Sequence, residues 1–206
     1  MKLISLTFDD GPDTDTTCDV LDRLARYNIP ASFFLIGQNI NAESRKSAER
    51  ALKQGCEIEN HSFTHSDMTK LSPDEIIDEV SRTTELIKDI SGREPQFFRP
   101  PYICYDQKMF DNIPLTFICG SGCDDWMPET SVEKRYRMTM EHAKNGEMIL
   151  LHDMTGNVNT VNALDLIIPD LLYHGFEFVT VSALFERLEV TPQRGRIYSN
   201  VFSLLA

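Results

Sequence analysis

The alternation of short apolar, β-rich runs with helical segments constrains the fold of this chain more than any other feature. Such alternation is typical of a parallel sheet with helices packed outside it. Seven runs are predicted to be strands: residues 3–8, 31–36, 57–59, 96–98, 115–119, 147–151 and 176–181. Because seven strands are too few for a complete eight-fold barrel, the pattern predicts an α/β fold built as an incomplete (β/α) barrel. An open doubly wound sheet is the alternative.

Capping signals mark where several helices begin and end. Two helices are predicted to begin with a capping box, in which Ser or Thr is followed three residues later by Glu: Ser72 with Glu75, and Thr130 with Glu133. Four glycines are predicted to end helices: Gly55, Gly92, Gly146 and Gly175. Since no repeat, low-complexity tract or linker interrupts the pattern, residues 1–206 are predicted to form a single domain.

Charge and hydropathy argue against two classes of partner. The 206 residues include 20 Lys and Arg against 32 Asp and Glu, a net charge of −12, and nucleic-acid binding needs clustered cations instead. No apolar run approaches the roughly 18 residues that a membrane-spanning helix needs. The residues that follow Met1 do not have the pattern of an export signal, so the sequence as given favours a cytoplasmic location. If the sequence is a module taken from a longer protein, a secreted or cell-wall location is expected instead.

The five cysteines are predicted to be free structural thiols, because their number is odd and no CxxC pair is present. A redox function for Cys119 and Cys123 is a remote alternative.

Polar residues follow the predicted strands, at the end where parallel α/β folds place their sites. Asp9 and Asp10 follow the first strand, and such adjacent carboxylates need partners there unless one of them caps a helix. His61 and His65 follow the third strand, and two imidazoles four residues apart on a helical turn can reach one ion. A carboxylate from another strand would complete an Asp-His-His triad with open positions. The alternative is a pair of surface histidines.

Three further strand ends carry informative side chains. Arg99 precedes two prolines that form a rigid corner of the backbone. Its guanidinium suits a carboxylate partner because it can donate two parallel hydrogen bonds to the two carboxylate oxygens. Trp126 follows two aspartates and is either core or the wall of a sugar site. His152 ends the sixth strand, where it is placed for proton transfer.

Taken in order, these segments resemble the motifs of the polysaccharide deacetylase (NodB-homology) family, which is carbohydrate esterase family four. The motifs are TFDDGP at residues 7–12, NHSFTH at 60–65, RPPY at 99–102, DDW at 124–126 and LLHD at 150–153. The resemblance covers residues ~3 to ~188 and implies an incomplete, distorted (β/α) barrel that acts as a metal-dependent hydrolase of acetyl groups on carbohydrate.

The resemblance also implies a role for each motif residue. One divalent ion would be held by Asp10, His61 and His65. Zinc is the expected ion, and cobalt, manganese or nickel also suit this ligand set.

The same family pattern implies the acid and base groups. Asp9 would be the general base, paired with Arg99, and the backbone amide of Tyr102 would stabilise the oxyanion. His152 would protonate the leaving group, with Asp125 orienting its ring. The residues expected to contact substrate are Pro101, Tyr102, Trp126 and Leu150.

One position departs from the family pattern. The fourth motif is often written DxxDW, and its first position here is Gly122, so any task of that first carboxylate is missing or passes to Asp124. Asp125 keeps its assignment because it directly precedes Trp126.

The shared catalytic residues leave the substrate open. Similarity to clostridial acetylxylan esterases favours O-acetyl xylan or xylo-oligosaccharides slightly. The alternative is N-deacetylation of chitin oligosaccharides or of peptidoglycan N-acetylglucosamine. A remote alternative is a non-catalytic carbohydrate-binding protein.

Overall fold

A computed structural model describes residues 2–205 of the chain. Six parallel strands lie side by side in the spatial order β5, β4, β3, β2, β1, β7. They are β1 (Lys2–Asp9), β2 (Ser32–Leu35), β3 (Glu57–Asn60), β4 (Phe97–Phe98), β5 (Thr116–Ile118) and β7 (Glu147–His152), with β6 (Ser121–Gly122) added beside β7. All six lie within about two residues of the strands predicted from the sequence.

The C-terminal segment closes this sheet into a barrel. Strand β9 (Ile197–Asn200) pairs parallel with β5 and, at Asn200 opposite Glu147, antiparallel with β7. Strand β10 (Ser203–Leu204) adds an antiparallel partner to β9. The predicted α/β barrel with about seven strands is therefore confirmed, whereas the open doubly wound sheet is wrong.

The identity and direction of the seventh strand differ from the prediction. The run at residues 176–181 contributes only β8 (Phe176–Phe178), which pairs with the first residues of β1, and helix α7 begins at Val181. The closing strand is β9, and it is antiparallel to one neighbour. Its four residues, IYSN, lack the apolar run that identifies a barrel strand in sequence, so its place depends on pairing with distant strands.

Seven helices surround the barrel in the described part of the chain, residues 2–205. They are α1 (Thr16–Tyr27), α2 (Arg45–Lys53), α3 (Pro73–Ser91), α4 (Gln107–Asn112), α5 (Val132–His142), α6 (Val158–Tyr173) and α7 (Val181–Arg187). The capping box of Ser72 and Glu75 is present, and Gly92 ends α3 in the left-handed conformation as predicted. Gly55 and Gly175 follow the ends of α2 and α6, also with positive φ.

The second predicted capping box is wrong by one residue. Ser131, in extended conformation, caps α5 by accepting a hydrogen bond from the Lys134 amide at 3.2 Å, and the helix ends at His142. Gly146 lies beyond that end, in the turn that enters β7. A Cβ atom there would lie 2.9 Å from the Phe202 ring, so the close approach of the C-terminal segment also favours glycine.

The main core lies between the barrel strands and the helices. Phe8 and Phe33 stack at 5.2 Å between ring centroids, and Leu164 and Ile168 of α6 pack into the same cluster. Within residues 2–205, none of the helices combines the length and the apolar character needed to cross a membrane.

A buried carboxylate joins the strands where the barrel closes. Glu147 is fully buried at the start of β7 and accepts hydrogen bonds from Ser121 Oγ at 3.0 Å and Asn200 Nδ2 at 3.2 Å. Lys144 Nζ lies 3.3 Å from the same carboxylate. Because a buried carboxylate is costly without partners, these contacts are expected to stabilise the junction of β9 with β7.

Asn200→Ala is expected to lower the free energy of unfolding by about 1–3 kcal/mol, because it removes a donor from a buried carboxylate. Urea denaturation measures the change. Ser203→Ala, at an exposed side chain of β10, is the control and should change the stability little. Equal losses in the two variants would contradict the role given to Glu147.

Candidate active site

The predicted site residues meet in one cavity at the carboxyl ends of the barrel strands. This cavity has a volume of about 550 Å³ and is lined by all of the predicted residues except Arg99 and Pro101. Arg99 is fully buried behind the cavity. Pro101 is also buried, and its neighbour Pro100 lines the cavity instead.

Asp10, His61 and His65 form a group that could hold a metal ion. One ligand atom from each residue lies within 4.8 Å of the others. The Nε2 atoms of both histidines are 3.4 Å from Asp10 Oδ1, and this oxygen is buried and has no hydrogen-bond partner among the described residues. An unpartnered buried oxygen facing two imidazole nitrogens fits a divalent cation.

The ionisation of this group also suits a cation. Burial alone would raise the pKa of Asp10, but the interaction with His61 and the nearby charges of His152 and His65 outweigh it and lower this pKa to about 2. Burial and the neighbouring His61 lower the pKa of His65. The carboxylate is therefore charged and the His65 ring neutral near pH 7, as metal ligands must be.

The histidines converge through an irregular loop, so the predicted helical turn is wrong. Ser62 and His65 both have positive φ, 63° and 60°. Asn60 Oδ1 accepts from the Ser62 amide at 2.9 Å, and Ser62 Oγ accepts from the His65 amide at 3.1 Å. His61 Nδ1 lies 2.7 Å from the Arg99 carbonyl oxygen, which leaves Nε2 for Asp10. Side-chain hydrogen bonds to the backbone have replaced the helix.

Glu79 of α3 anchors this loop and was not predicted from the sequence. It is buried, and its Oε2 accepts from the amides of Phe63 at 2.9 Å and Thr64 at 2.8 Å, while Oε1 accepts from Thr64 Oγ1 at 2.7 Å. A signal was present in the sequence, because Glu79 falls within the apolar stripe that includes Ile76 and Val80. A charged residue in such a stripe indicates a buried partner.

Glu79→Leu is expected to weaken metal binding about 10- to 100-fold, since residues that orient metal ligands typically have effects of this size. Calorimetric titration of metal-stripped protein with Zn²⁺ and Co²⁺ measures the affinity. Glu79→Gln is the matched control: its amide oxygen can accept from both backbone amides, so it should stay near wild type. Wild-type affinity in Glu79→Leu would show that the loop needs no anchor.

Asp9 and Arg99 form a buried ion pair beside the metal-ligand group. Arg99 Nη1 donates to Asp9 Oδ1 at 2.5 Å, and the guanidinium lies over the Phe34 ring at 4.2 Å. The second oxygen, Asp9 Oδ2, is 3.7 Å from His61 Nε2. One oxygen of Asp9 is therefore held by the cation and the other is beside the metal-ligand group.

His152 and Asp125 form a second charged pair in the cavity. His152 Nδ1 is 2.8 Å from Asp125 Oδ1, and the His152 amide donates to Asp125 Oδ2 at 2.7 Å. Burial lowers the pKa of His152, but the hydrogen bond and charge of Asp125, with the charges of Asp9 and Asp10, outweigh it and raise this pKa to about 9. The ring is therefore protonated near pH 7, and Nε2 carries a proton toward the cavity.

Asp125, and not Asp124, is the carboxylate that contacts His152. Asp124 is half exposed, with positive φ, and its carboxylate lies 3.5 Å from Lys134 Nζ rather than at the histidine. A Cβ atom at Gly122 would have no neighbour within 4 Å, so this side of the cavity is open.

Asp125→Asn is expected to lower the pKa of His152 from about 9, because the hydrogen bond and charge of Asp125 are its largest raising influences and only the charges of Asp9 and Asp10 would then oppose burial. Titration of the histidine ring signals by NMR measures this, with the exposed His142 as an internal reference. A His152 signal that still titrates near pH 9 would contradict the role given to Asp125.

The remaining predicted residues form the rim and wall of the cavity. Trp126 is 57% exposed and Tyr102 is 66% exposed, so Trp126 is not a core residue. Tyr102 has positive φ, and its ring contacts His65 edge-on at 4.7 Å between centroids. Leu150 is buried and lines the cavity.

All five cysteines are unpaired, as predicted. Burial raises the pKa of the Cys123 thiol to about 12 and also raises that of Cys119, so both stay protonated. Protonated, buried thiols do not suit the redox alternative.

Comparison with known proteins agrees with this arrangement. The sequence profile of the family described as polysaccharide deacetylase matches residues 1–114, more than half of the chain. The chain belongs to the polysaccharide deacetylase family. Membership accounts for the meeting of all five motifs in one cavity.

Individual relatives differ in their named substrates. The chain is 48% identical to a bifunctional xylanase/deacetylase from Pseudobutyrivibrio xylanivorans over 97% of this chain and 33% of that protein. It is 33% identical to the peptidoglycan-N-acetylglucosamine deacetylase PgdA from Listeria monocytogenes over 93% of this chain and 41% of that protein. The chain thus spans less than half the length of these two relatives.

A solved structure also resembles the chain closely. The family 4 acetyl xylan esterase from Clostridium thermocellum, in complex with a cobalt ion, superposes with a TM-score of 0.94 at 40% identity, covering 97% of this chain and 99% of that chain.

Proposed function

We propose that this chain is a metal-dependent carbohydrate deacetylase that removes acetyl groups from the hydroxyl oxygens of xylan or xylo-oligosaccharides. The observation that carries the proposal is the meeting of three units in one cavity: a metal-ligand group, a buried carboxylate with a free oxygen, and a protonated histidine. Ester hydrolysis needs an activated water, a base and an acid, and these units match those needs.

Asp10, His61 and His65 are the proposed metal ligands. A divalent ion bound there would supply Lewis acidity, lowering the pKa of water and polarising the acetyl carbonyl. Zinc is the proposed ion because neutral imidazole and carboxylate ligands suit it. Cobalt is the next candidate, since the related acetyl xylan esterase was solved with that ion.

Asp9 is the proposed general base. Arg99 holds its Oδ1, so Oδ2 is the oxygen available to take a proton from the attacking water. The fixed pair also prevents the buried carboxylate from turning away, because Arg99 is itself fully buried. The amide of Tyr102 is the proposed donor to the developing oxyanion.

His152 is the proposed general acid. Its Nδ1 is bound to Asp125, so Nε2 is the atom that donates a proton to the leaving sugar oxygen. The bond between the acetyl carbon and that oxygen breaks, the sugar leaves as an alcohol, and the acetyl carbon keeps the oxygen from water. Release of the proton from Asp9 and uptake of one by His152 complete the cycle, giving alcohol, acetate and one proton overall.

Trp126, Tyr102 and Leu150 are proposed to contact the substrate. Trp126 and Tyr102 expose aromatic surface at the cavity, which suits the apolar face of a sugar ring, and the buried Leu150 suits the acetyl methyl group.

N-deacetylation of amino sugars is the second candidate. The PgdA relative supports it, and the same acid would protonate a leaving amine as readily as an alkoxide. The higher identity to the xylanase/deacetylase favours the ester substrate.

Wild-type protein with added Zn²⁺ is expected to release acetate from acetylated xylan faster than from N-acetyl chito-oligosaccharide, and a chelator should stop the release. Asp9→Asn should retain bound metal, measured by elemental analysis, and lose at least about 100-fold in kcat because the base is gone. His61→Ala should lose both the metal and the activity.

The outcomes separate the candidates. Faster release from the amino sugar would replace the esterase with the N-deacetylase. Binding of the sugars without acetate release, in protein that contains metal, would support a non-catalytic carbohydrate-binding function. Loss of metal in Asp9→Asn would overturn the division of roles between Asp9 and Asp10.

A further inference from the structure

Arg135 of α5 is a fully buried cation that lies outside the active-site cavity. Its side chain makes no ion pair with a carboxylate among the described residues and instead donates four hydrogen bonds to neutral oxygens. Nε donates to the Thr130 carbonyl at 2.9 Å and Nη2 to the Met127 carbonyl at 3.1 Å. Nη1 donates to Asn157 Oδ1 at 2.5 Å and to Thr160 Oγ1 at 2.6 Å.

Two of these contacts lead to His152. Thr160 Oγ1 donates to Asp125 Oδ2 at 2.8 Å, and Asp125 in turn holds the Nδ1 atom of His152. Asn157 Nδ2 donates to the His152 carbonyl oxygen at 2.9 Å. Arg135 is therefore connected to the ring of His152 through Thr160 and to its backbone through Asn157.

The other two contacts hold the loop that carries Trp126. The carbonyl groups of Met127 and Thr130 belong to the segment between Trp126 and the start of α5. Both accept hydrogen bonds from the Arg135 guanidinium. The loop with Asp125 and the loop after His152 are thus joined through a single side chain.

A buried guanidinium is an expensive way to fill this space. Its desolvation costs several kcal/mol, and apolar side chains of similar size commonly serve as well or better for stability alone. Burial lowers the pKa of Arg135, which reflects the same cost. The arrangement is better explained by the geometry that the four directed donors impose.

We infer that Arg135 is a positioning residue for protonation of the leaving group, acting on His152 through Thr160 with Asp125 and through Asn157. This inference rests on the proposed deacetylase function. Without Arg135, the His152 ring would lose the fixed placement of its Nε2 atom relative to the leaving oxygen. A displacement of about 1 Å in such a group reduces rates by up to about 100-fold.

The dependence on the leaving group separates this role from a general structural one. A sugar hydroxyl leaves as a strongly basic alkoxide and needs the proton of His152. 4-Nitrophenolate is a stable anion and leaves without it. A defect in acid placement therefore slows hydrolysis of acetylated xylo-oligosaccharide much more than hydrolysis of 4-nitrophenyl acetate, whereas a general loss of folded protein slows both equally.

The test compares Arg135→Gln and Thr160→Val with wild type on both substrates. Each variant is expected to lose about 10- to 100-fold in kcat on acetylated xylo-oligosaccharide, with KM changed less than about threefold. The loss of activity on 4-nitrophenyl acetate is expected to be several-fold smaller than this loss. The matched control is Arg137→Gln, on the same helix, whose exposed side chain lies 3.8 Å from Glu141; it should match wild type on both substrates.

The double variant tests whether the two residues act along one path. If Arg135 acts on the ring through Thr160, Arg135→Gln combined with Thr160→Val should lose less than the product of the single losses. Thermal unfolding confirms that each variant is folded at the assay temperature. If Arg135→Gln is not folded there, Thr160→Val decides the inference.

Equal losses on the two substrates in a folded variant would overturn the inference, as would wild-type kinetics in Thr160→Val. These outcomes differ from failure of the proposed function itself, in which wild-type protein would release no acetate from any of the acetylated sugars.

Discussion

The geometry of the active site depends on one buried residue, Arg99. Its guanidinium holds Asp9 from the end of β1, and its backbone carbonyl holds the Nδ1 atom of His61 from the end of β3. Arg99 itself follows β4. One residue therefore orients the carboxylate proposed as base and an imidazole proposed as metal ligand, and it balances charge where Asp9 is removed from solvent. Leaving either charge alone in this environment would cost several kcal/mol, so the two are expected to stay together.

The loops around this pair are held in strained conformations. Of the eight non-glycine residues with positive φ among residues 2–205, five lie in the motif segments and a sixth, Ile103, directly follows one; the five are Asp10, Ser62, His65, Tyr102 and Asp124. Such conformations cost about 1–3 kcal/mol each and persist where the surroundings enforce them. Two of these loops are also held by buried side chains: Glu79 accepts from the Phe63 and Thr64 amides of the histidine segment, and Arg135 donates to the carbonyls of Met127 and Thr130 after Trp126.

Sequence reasoning predicted the members of the site better than it predicted their local conformation. The five motifs lie at the carboxyl ends of parallel strands, and that position alone places their side chains at one end of a barrel. The helical turn expected at His61 and His65 is wrong because hydrogen bonds from Asn60 and Ser62 side chains compete with helical pairing. Glu79 and Arg135 were not predicted because most of the groups that they contact are backbone amides and carbonyls, whose positions depend on how the loops fold against the helices. Each nevertheless appears in the sequence as a charged residue on the buried side of a helix.

The sequence by itself determined the alternation of strands and helices, the α/β barrel class and the chemical types of the groups at the strand ends, because these follow from local periodicity and from residue identity. Only the tertiary structure decided which segment closes the barrel. The short strand β9 has no strong periodicity, and its place depends on pairing with β5 and with the start of β7. The structure also shows the contact of Asp125 with His152, which the sequence assigned only through the position of Asp125 before Trp126 in the family motif. Two adjacent carboxylates are chemically alike in sequence, and backbone direction at the end of the loop is what separates them.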